Sequence, residues 1–252
     1  MSPATDALLS ARGLHKRFGA VAAADDVSLD VARGERVSLI GSNGAGKTTF
    51  VNMVTGYLKP DAGSIALDGT DITPLSPRQV TRRGVARSFQ IPQLCAELTV
   101  LENMLVAAAC GQRSLSAWRP ARSARRRDEA LALLERFALA GHARRRVSEL
   151  PGGVRKLLDI AMSLTGRPAL LLLDEPTSGV SVDEKMPMMD TVMGALAHDT
   201  VAVLFVEHDM DIVARYSQRV VAFWSGKVLC DAPPAVALAD EQVRRYVTGT
   251  LR

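Results

Sequence analysis

Two stretches of the chain are apolar almost without a break: ALLLLDE at 169–175 and TVAVLFVE at 200–207. Such runs predict strands covered on both faces, as in a parallel sheet with helices above and below. VSLI at 37–40 and SIALDG at 64–69 are shorter β-type runs. Near the start the pattern differs. LLSARGLHKRFG and DDVSLDVARGERVSLIG alternate apolar with polar positions and are broken by glycines, which predicts antiparallel strands. VVAFWSGKVLCD repeats the alternation around a Ser225-Gly226 turn.

Between Ile91 and Thr165 a helical pattern takes over. LTVLENMLVAAA and DEALALLERFALAG space their apolar residues three and four apart, and Gly141 is placed to end the second helix. The layout is one α/β domain over 1–252. A doubly wound parallel core with antiparallel elements comes from 1–90 and 166–252, and a mostly helical subdomain is inserted at 91–165. No internal repeat or low-complexity tract is present, and WRPARSARRR is the most linker-like segment.

Composition agrees with a substantial buried interior, since 47% of the 252 residues are hydrophobic. The net charge of +4 does not demand a nucleic-acid partner, and none is expected. Arginines nevertheless cluster at Arg119, Arg122, Arg125, Arg126 and Arg127, and again at Arg144, Arg145 and Arg146. A solvated helix face is the favoured reading, with a site for anionic lipid or nucleic acid as the alternative. Cys95, Cys110 and Cys230 are scattered and read as reduced thiols. MSPATDALLSAR lacks the basic start and apolar core of a signal peptide, and no apolar run reaches the roughly 20 residues of a membrane span, so a soluble cytosolic chain is expected.

The strongest local chemistry is GSNGAGKT, with Gly41, Ser42, Asn43, Gly44, Ala45, Gly46, Lys47 and Thr48, followed by Thr49. It fits G-x-x-x-x-G-K-[ST] at every defined position, after a strand and before a helix. Glycines let backbone N–H groups turn inward around phosphates, and the helix start adds a positive dipole end. Lys47 would reach the β and γ phosphates of ATP, and the Thr48 hydroxyl would help hold Mg²⁺. An apolar strand ending in Asp174 delivers a carboxylate toward the metal, and Glu175 is placed to orient or deprotonate the attacking water. Alternatively, these are two solvated acids at a strand end. His208, within LFVEHD at the end of another apolar strand, is either a structural strand-end histidine or a donor that holds the γ phosphate and water in line. His15, His142 and His198 have no comparable setting and read as surface residues.

Taken in order, these elements resemble the ATP-binding subunit of an ABC transporter: GSNGAGKTT as Walker A, SFQ with Gln90 as the Q-loop, LPGG as the signature, LLLLDEP as Walker B, TSGVS as the D-loop and EHD as the switch histidine. The resemblance covers nearly the whole chain. It implies a P-loop NTPase fold with a RecA-like core, an antiparallel β subdomain and an inserted helical subdomain, with ATP and Mg²⁺ as cofactors. It further implies that Phe18 stacks on adenine, the alternative being a core phenylalanine. Gln90 would join the Mg²⁺ and water site and link it to the membrane subunits. Pro151, Gly152 and Gly153 would cap ATP held by an opposite subunit. The implied partners are two transmembrane permease subunits, a second ATPase subunit of the same or a related chain, and an extracytoplasmic solute-binding protein. The implied place is the cytoplasmic face of the inner membrane.

A narrower resemblance is to the branched-chain amino-acid importer ATPases, larger type, carried by VARSFQIPQLCAELTVLENMLVAA, DEPTSGVSVDEK, the basic insertion before DEALALLERFAL and VRRYVTG. That group includes relatives proposed to move urea or short amides, and lipopolysaccharide-export ATPases are close cousins. Against the general signature L-S-G-G-Q, Pro151 replaces serine and Val154 replaces glutamine, while Ser181 stands where most D-loops have aspartate. Proline cannot donate a hydrogen bond, but it suits a first helical turn and leaves the Gly152 and Gly153 N–H groups available. Two other classes remain: a soluble ABC ATPase acting on DNA or ribosomes, and a small-molecule kinase. The first usually carries paired ATPase halves or long coiled coils, and the second needs no signature loop.

Overall fold

A computed structural model of the chain describes residues 7–110, 124–197 and 200–249. The two continuous apolar runs become the inner strands β7 (Leu170–Asp174) and β8 (Ala202–Val206) of a six-stranded sheet. Its order is β10-β9-β3-β8-β7-β6, where β3 is Arg36–Gly41, β6 is Val85–Ser88, β9 is Arg219–Trp224 and β10 is Lys227–Ala232. All neighbours in it are parallel except β9 and β10, which form a hairpin on the Ser225-Gly226 turn, with φ of 49° and 79° there. A second sheet, order β2-β1-β4-β5, is antiparallel and holds β1 (Ala7–Phe18), β2 (Val21–Ala32), β4 (Ala62–Leu67) and β5 (Thr70–Asp71).

The period of two along a strand explains why β7 is apolar on both faces up to Asp174. Leu170 and Leu172 face a core shared with the antiparallel sheet and with Phe50 and Val54 of α1 (Lys47–Val54). Leu171 and Leu173 face the opposite core. That second core is built by α3 (Val100–Cys110), α4 (Ala124–Arg136), α5 (Gly152–Ser163), α6 (Val182–Leu196) and α7 (Met210–Tyr216). The helical segment therefore shares one apolar cluster with the sheet instead of holding a core of its own. Short helices α2 (Pro77–Arg82), α8 (Pro234–Ala237) and α9 (Glu241–Tyr246) complete the chain.

Three sequence expectations change, and one alternative is excluded. The polar-rich strand β6 (VARS) lacks the apolar run that marks its neighbours, yet it forms the edge of the parallel sheet. Gly141 does not end α4. Ala138 does, in the left-handed region at φ 55°, and the Leu139 N–H reaches back to the Leu134 carbonyl at 2.7 Å. Burial of Phe137 and Leu139 on either side offsets the cost of a non-glycine residue in that C-terminal turn. Of the two readings of Phe18, burial in the core is excluded, since the residue is 52% exposed at the end of β1. His142 is only half exposed, and its Nδ1 is shut from water with no hydrogen-bond partner.

His15 is partly exposed beside Asp25, 3.5 Å away, and His198 lies outside the described residues. Arg119, Arg122 and the start of WRPARSARRR also lie outside them. Arg144, Arg145 and Arg146 are exposed, and Arg125 pairs with Glu129 one turn along α4 at 3.1 Å, as on a solvated face. The thiols are free, Cys95 and Cys110 exposed and Cys230 half-buried. Among the described residues no helix is long and apolar enough to cross a membrane.

Candidate functional site

Parallel strands of one sheet send their carboxyl ends to the same edge, and a site forms there where the strand order reverses. Here β3 lies between β8 and β9, and the loop 41–48 leaves from its end. Asp174 and Glu175 leave β7, Glu207 and His208 leave β8, and Gln90 follows β6. The sheet thus brings together residues that are widely spaced in sequence.

The loop is shaped by its glycines. Gly44 and Gly46 have φ of 79° and 109°, and a Cβ on Gly46 would sit 2.5 Å from the Ala23 carbonyl oxygen. Lys47 is buried, and its Nζ donates to the Gly41 carbonyl at 2.6 Å and the Ser42 carbonyl at 3.1 Å. Burial lowers its pKa, and the charges of Glu175 and Asp174 oppose that. Among the described residues, the N–H groups of Gly44, Gly46, Lys47, Thr48 and Thr49 meet no backbone acceptor. That row of free donors, with a buried cation behind it and a helix N-terminus beside it, fits a polyphosphate. Ser42 and Thr49 are half-buried, Asn43 and Thr48 are exposed, and Ala45 packs into the core below.

Glu175 is where the predicted catalytic residues meet. It sits in the left-handed region at φ 49°, a turn held by its N–H donating to the Val206 carbonyl at 3.1 Å. Gln90 Nε2 donates to its Oε2 at 2.7 Å, and His208 Nε2 lies 3.2 Å from its Oε1. Asp174, next to it, is paired through Oδ2 with Arg87 Nη2 at 2.5 Å.

Several residues around the site have roles that no motif assigned to them. Buried Glu207 accepts the hydroxyl and N–H of Thr177 and, at 2.8 Å, the N–H of His208, so it fixes the turn that presents the histidine. Lys156 in α5 donates to the carbonyls of Phe89 at 3.0 Å and Gln90 at 2.9 Å. Asp159, one turn on, accepts the Ser88 hydroxyl at 2.6 Å and the Gln93 N–H at 3.0 Å. Burial lowers the Lys156 pKa and raises that of Asp159. The one signal in the sequence is two charged residues three apart on an otherwise apolar stretch, KLLDIA.

Pro151 stands just before α5 with φ of −58° and ψ of 157°, and among the described residues the Gly152 and Gly153 N–H groups meet no backbone acceptor. Val154 is half-buried and packs on the helical core, so a side chain here turns inward. Ser181 caps the start of α6, its hydroxyl donating to Glu184 at 2.7 Å. Gln90 and Phe18 are exposed.

Known proteins resemble this chain in sequence and in fold. The ABC transporter family profile matches residues 24–178. The high-affinity branched-chain amino acid transport ATP-binding protein LivG of Salmonella typhimurium is 38% identical over 250 residues, 96% of this chain and 98% of its own. BraF of Pseudomonas aeruginosa, named for the same transport, is 37% identical over 94% of this chain and 93% of its own. Among solved structures, the ADP conformation of the ATP-binding cassette MJ1267 matches with a TM-score of 0.86 at 31% identity, over 96% of this chain and 98% of that one. The dimeric cassette MJ0796 bound to ADP and Pi matches with a TM-score of 0.76 at 25% identity, over 90% and 98%. A P-loop fold with this sheet order and this set of relatives leaves one assignment: the chain belongs to the ABC transporter family, as one of its ATP-binding ATPases.

Proposed function

We propose that the chain powers an importer of branched-chain amino acids or of related small polar solutes such as urea or amides. The observation that carries the catalytic part is the meeting of Gln90, at 2.7 Å, and His208, at 3.2 Å, on the one carboxylate of Glu175. The cargo class is supported by LivG and BraF, both named for branched-chain amino acid transport.

In this reading the Lys47 ammonium and the free N–H groups of Gly44, Gly46, Lys47, Thr48 and Thr49 bind the phosphates, with Ser42, Asn43 and Ala45 shaping the loop, and Phe18 offers its exposed face to the adenine. Thr48, Asp174 and Gln90 supply the hard oxygens that would hold Mg²⁺, which would neutralise charge on the phosphate oxygens. Glu175 takes the proton of the attacking water, and His208 donates to the γ phosphate and fixes the line of attack. Gly152 and Gly153, entered by Pro151, present N–H groups to the ATP of a second ATPase subunit. The dimeric MJ0796 cassette supports that pairing. Two permease subunits would hold the pair at the cytoplasmic face of the inner membrane, and an extracytoplasmic binding protein would deliver the solute.

The test is purification of the intact membrane complex and ATP-driven uptake of labelled leucine by vesicles that contain it. Capture of a permease with leucine uptake is expected. A chain that never captures a permease overturns the transport role, and uptake of urea without leucine moves the cargo within the class.

A further inference from the structure

Arg87 belongs to none of the motifs, yet it touches three parts of the molecule. It lies on β6 beside β7, in register with Leu172. Its Nη2 meets Asp174 Oδ2 at 2.5 Å, and its Nη1 meets Asn52 Oδ1 of α1 at 2.7 Å. The pair is nearly dry, with Arg87 9% and Asp174 13% exposed, and Arg87 Nε is buried without a partner. On the far side, the guanidinium carbon lies 4.9 Å from the Phe89 ring centroid, and Phe89 meets Tyr57 edge-on at 6.0 Å. These three residues line a cavity of about 290 Å³ whose other wall includes Ala107 of α3 and Met162 of α5.

We propose that Arg87 is the resident counter-cation of Asp174 and competes with the nucleotide's Mg²⁺ for that carboxylate, so that the metal site and the inter-subdomain cavity are coupled through one side chain. The inference rests on the Mg²⁺-ATP reading of the site. A carboxylate this dry needs a compensating charge, and Arg87 provides it. A divalent cation beside Asp174 repels the guanidinium and weakens its pair, because two like charges in a partly desolvated site interact strongly. The freed guanidinium keeps its stack on Phe89 and its bond to Asn52, so the change is passed to the cavity wall. Conversely, an acidic group entering the cavity would draw Arg87 off Asp174 and favour the metal.

Three variants read the sign of the effect. Arg87→Met removes the charge but keeps the apolar stem. Arg87→Gln keeps a hydrogen-bond donor without charge, and it serves if the methionine variant fails to fold. Arg87→Lys keeps the charge. Mn²⁺ binding in the presence of saturating ADP is followed by electron paramagnetic resonance, and ADP binding in EDTA by calorimetry. The methionine and glutamine variants should bind Mn²⁺ roughly threefold to tenfold more tightly, the scale of one lost charge contact. The lysine variant should match the parent, and ADP binding in EDTA should stay within about twofold throughout. Unchanged or weaker Mn²⁺ binding in the neutral variants overturns the proposal and makes Arg87 a support for Asp174. Failure of the parent chain to bind ADP would instead sink the nucleotide reading on which the proposal stands.

Discussion

The phosphate loop and the Gln90 segment lie at the same sheet edge but are held by opposite means. The loop is held mostly by itself: Lys47 bonds to carbonyls five and six residues back, the Ala45 N–H bonds to Ser42 at 3.1 Å, and one distant bond, from the Gly226 N–H of the β9–β10 turn to the Ala45 carbonyl at 3.0 Å, backs it. The Gln90 segment is held from far along the chain. Lys156 and Asp159 reach it across 66 to 71 residues, and Glu175 across 85. A locally closed loop keeps its shape whatever the helical subdomain does. A segment clamped by α5 moves when α5 moves, so the helix that would read a partner's ATP is tied to the glutamine that would read its own.

Glu175→Gln should have the largest effect, because it strikes the point where the two regions meet. Turnover should fall by about 10² to 10⁴, the usual worth of a general base, with ATP affinity nearly unchanged. Steady-state hydrolysis and nucleotide titration check this, and unaltered hydrolysis would remove the general-base role. Lys47→Ala attacks the local region alone. Loss of a charged donor to phosphate should weaken nucleotide binding by roughly tenfold to a hundredfold. The Gln90 backbone should keep its hydrogen-exchange protection, and its loss would show that the two regions are not separate.

Lys156→Met attacks the clamp alone. Leaving the Phe89 and Gln90 carbonyls without their donor should cost about 1–3 kcal/mol of stability, less whatever relief comes from removing a desolvated charge. Exchange should speed up at 89–93, and hydrolysis should fall while isolated nucleotide affinity holds. Equal protection there would refute the clamp.

The smallest effect concerns pH. Burial raises the Asp159 pKa, so its unfolded carboxyl ionises first. Stability from this group is full below the ordinary carboxylate pKa and is lost as pH rises through the native value. Asp159→Asn should flatten that slope, as urea midpoints across the carboxylate range would show.

Much of the site was legible because its chemistry is written locally. Residues 41–49 announce a phosphate loop through spacing alone, and LLLLDE and LFVEH announce strand ends that carry acids and a histidine. Strand β6 escaped because VARS has no apolar run, and the end of α4 was misplaced because a buried Phe137 and Leu139 let Ala138 do a glycine's work. Val154, which stands at the signature's glutamine position, turns out to be a core-facing side chain.

The sequence by itself determined the loop, the strands on both sides of it and the kinds of group at the sheet edge, since each depends on neighbours within a few residues. Only the tertiary structure decided that Gln90 and His208 share Glu175, that Arg87 neutralises Asp174, and that Lys156 and Asp159 fasten α5 to the Gln90 segment. Those pairings join residues some 30 to 90 positions apart. Their energy comes from desolvation and hydrogen bonding at subdomain contacts, which the order of residues alone does not specify.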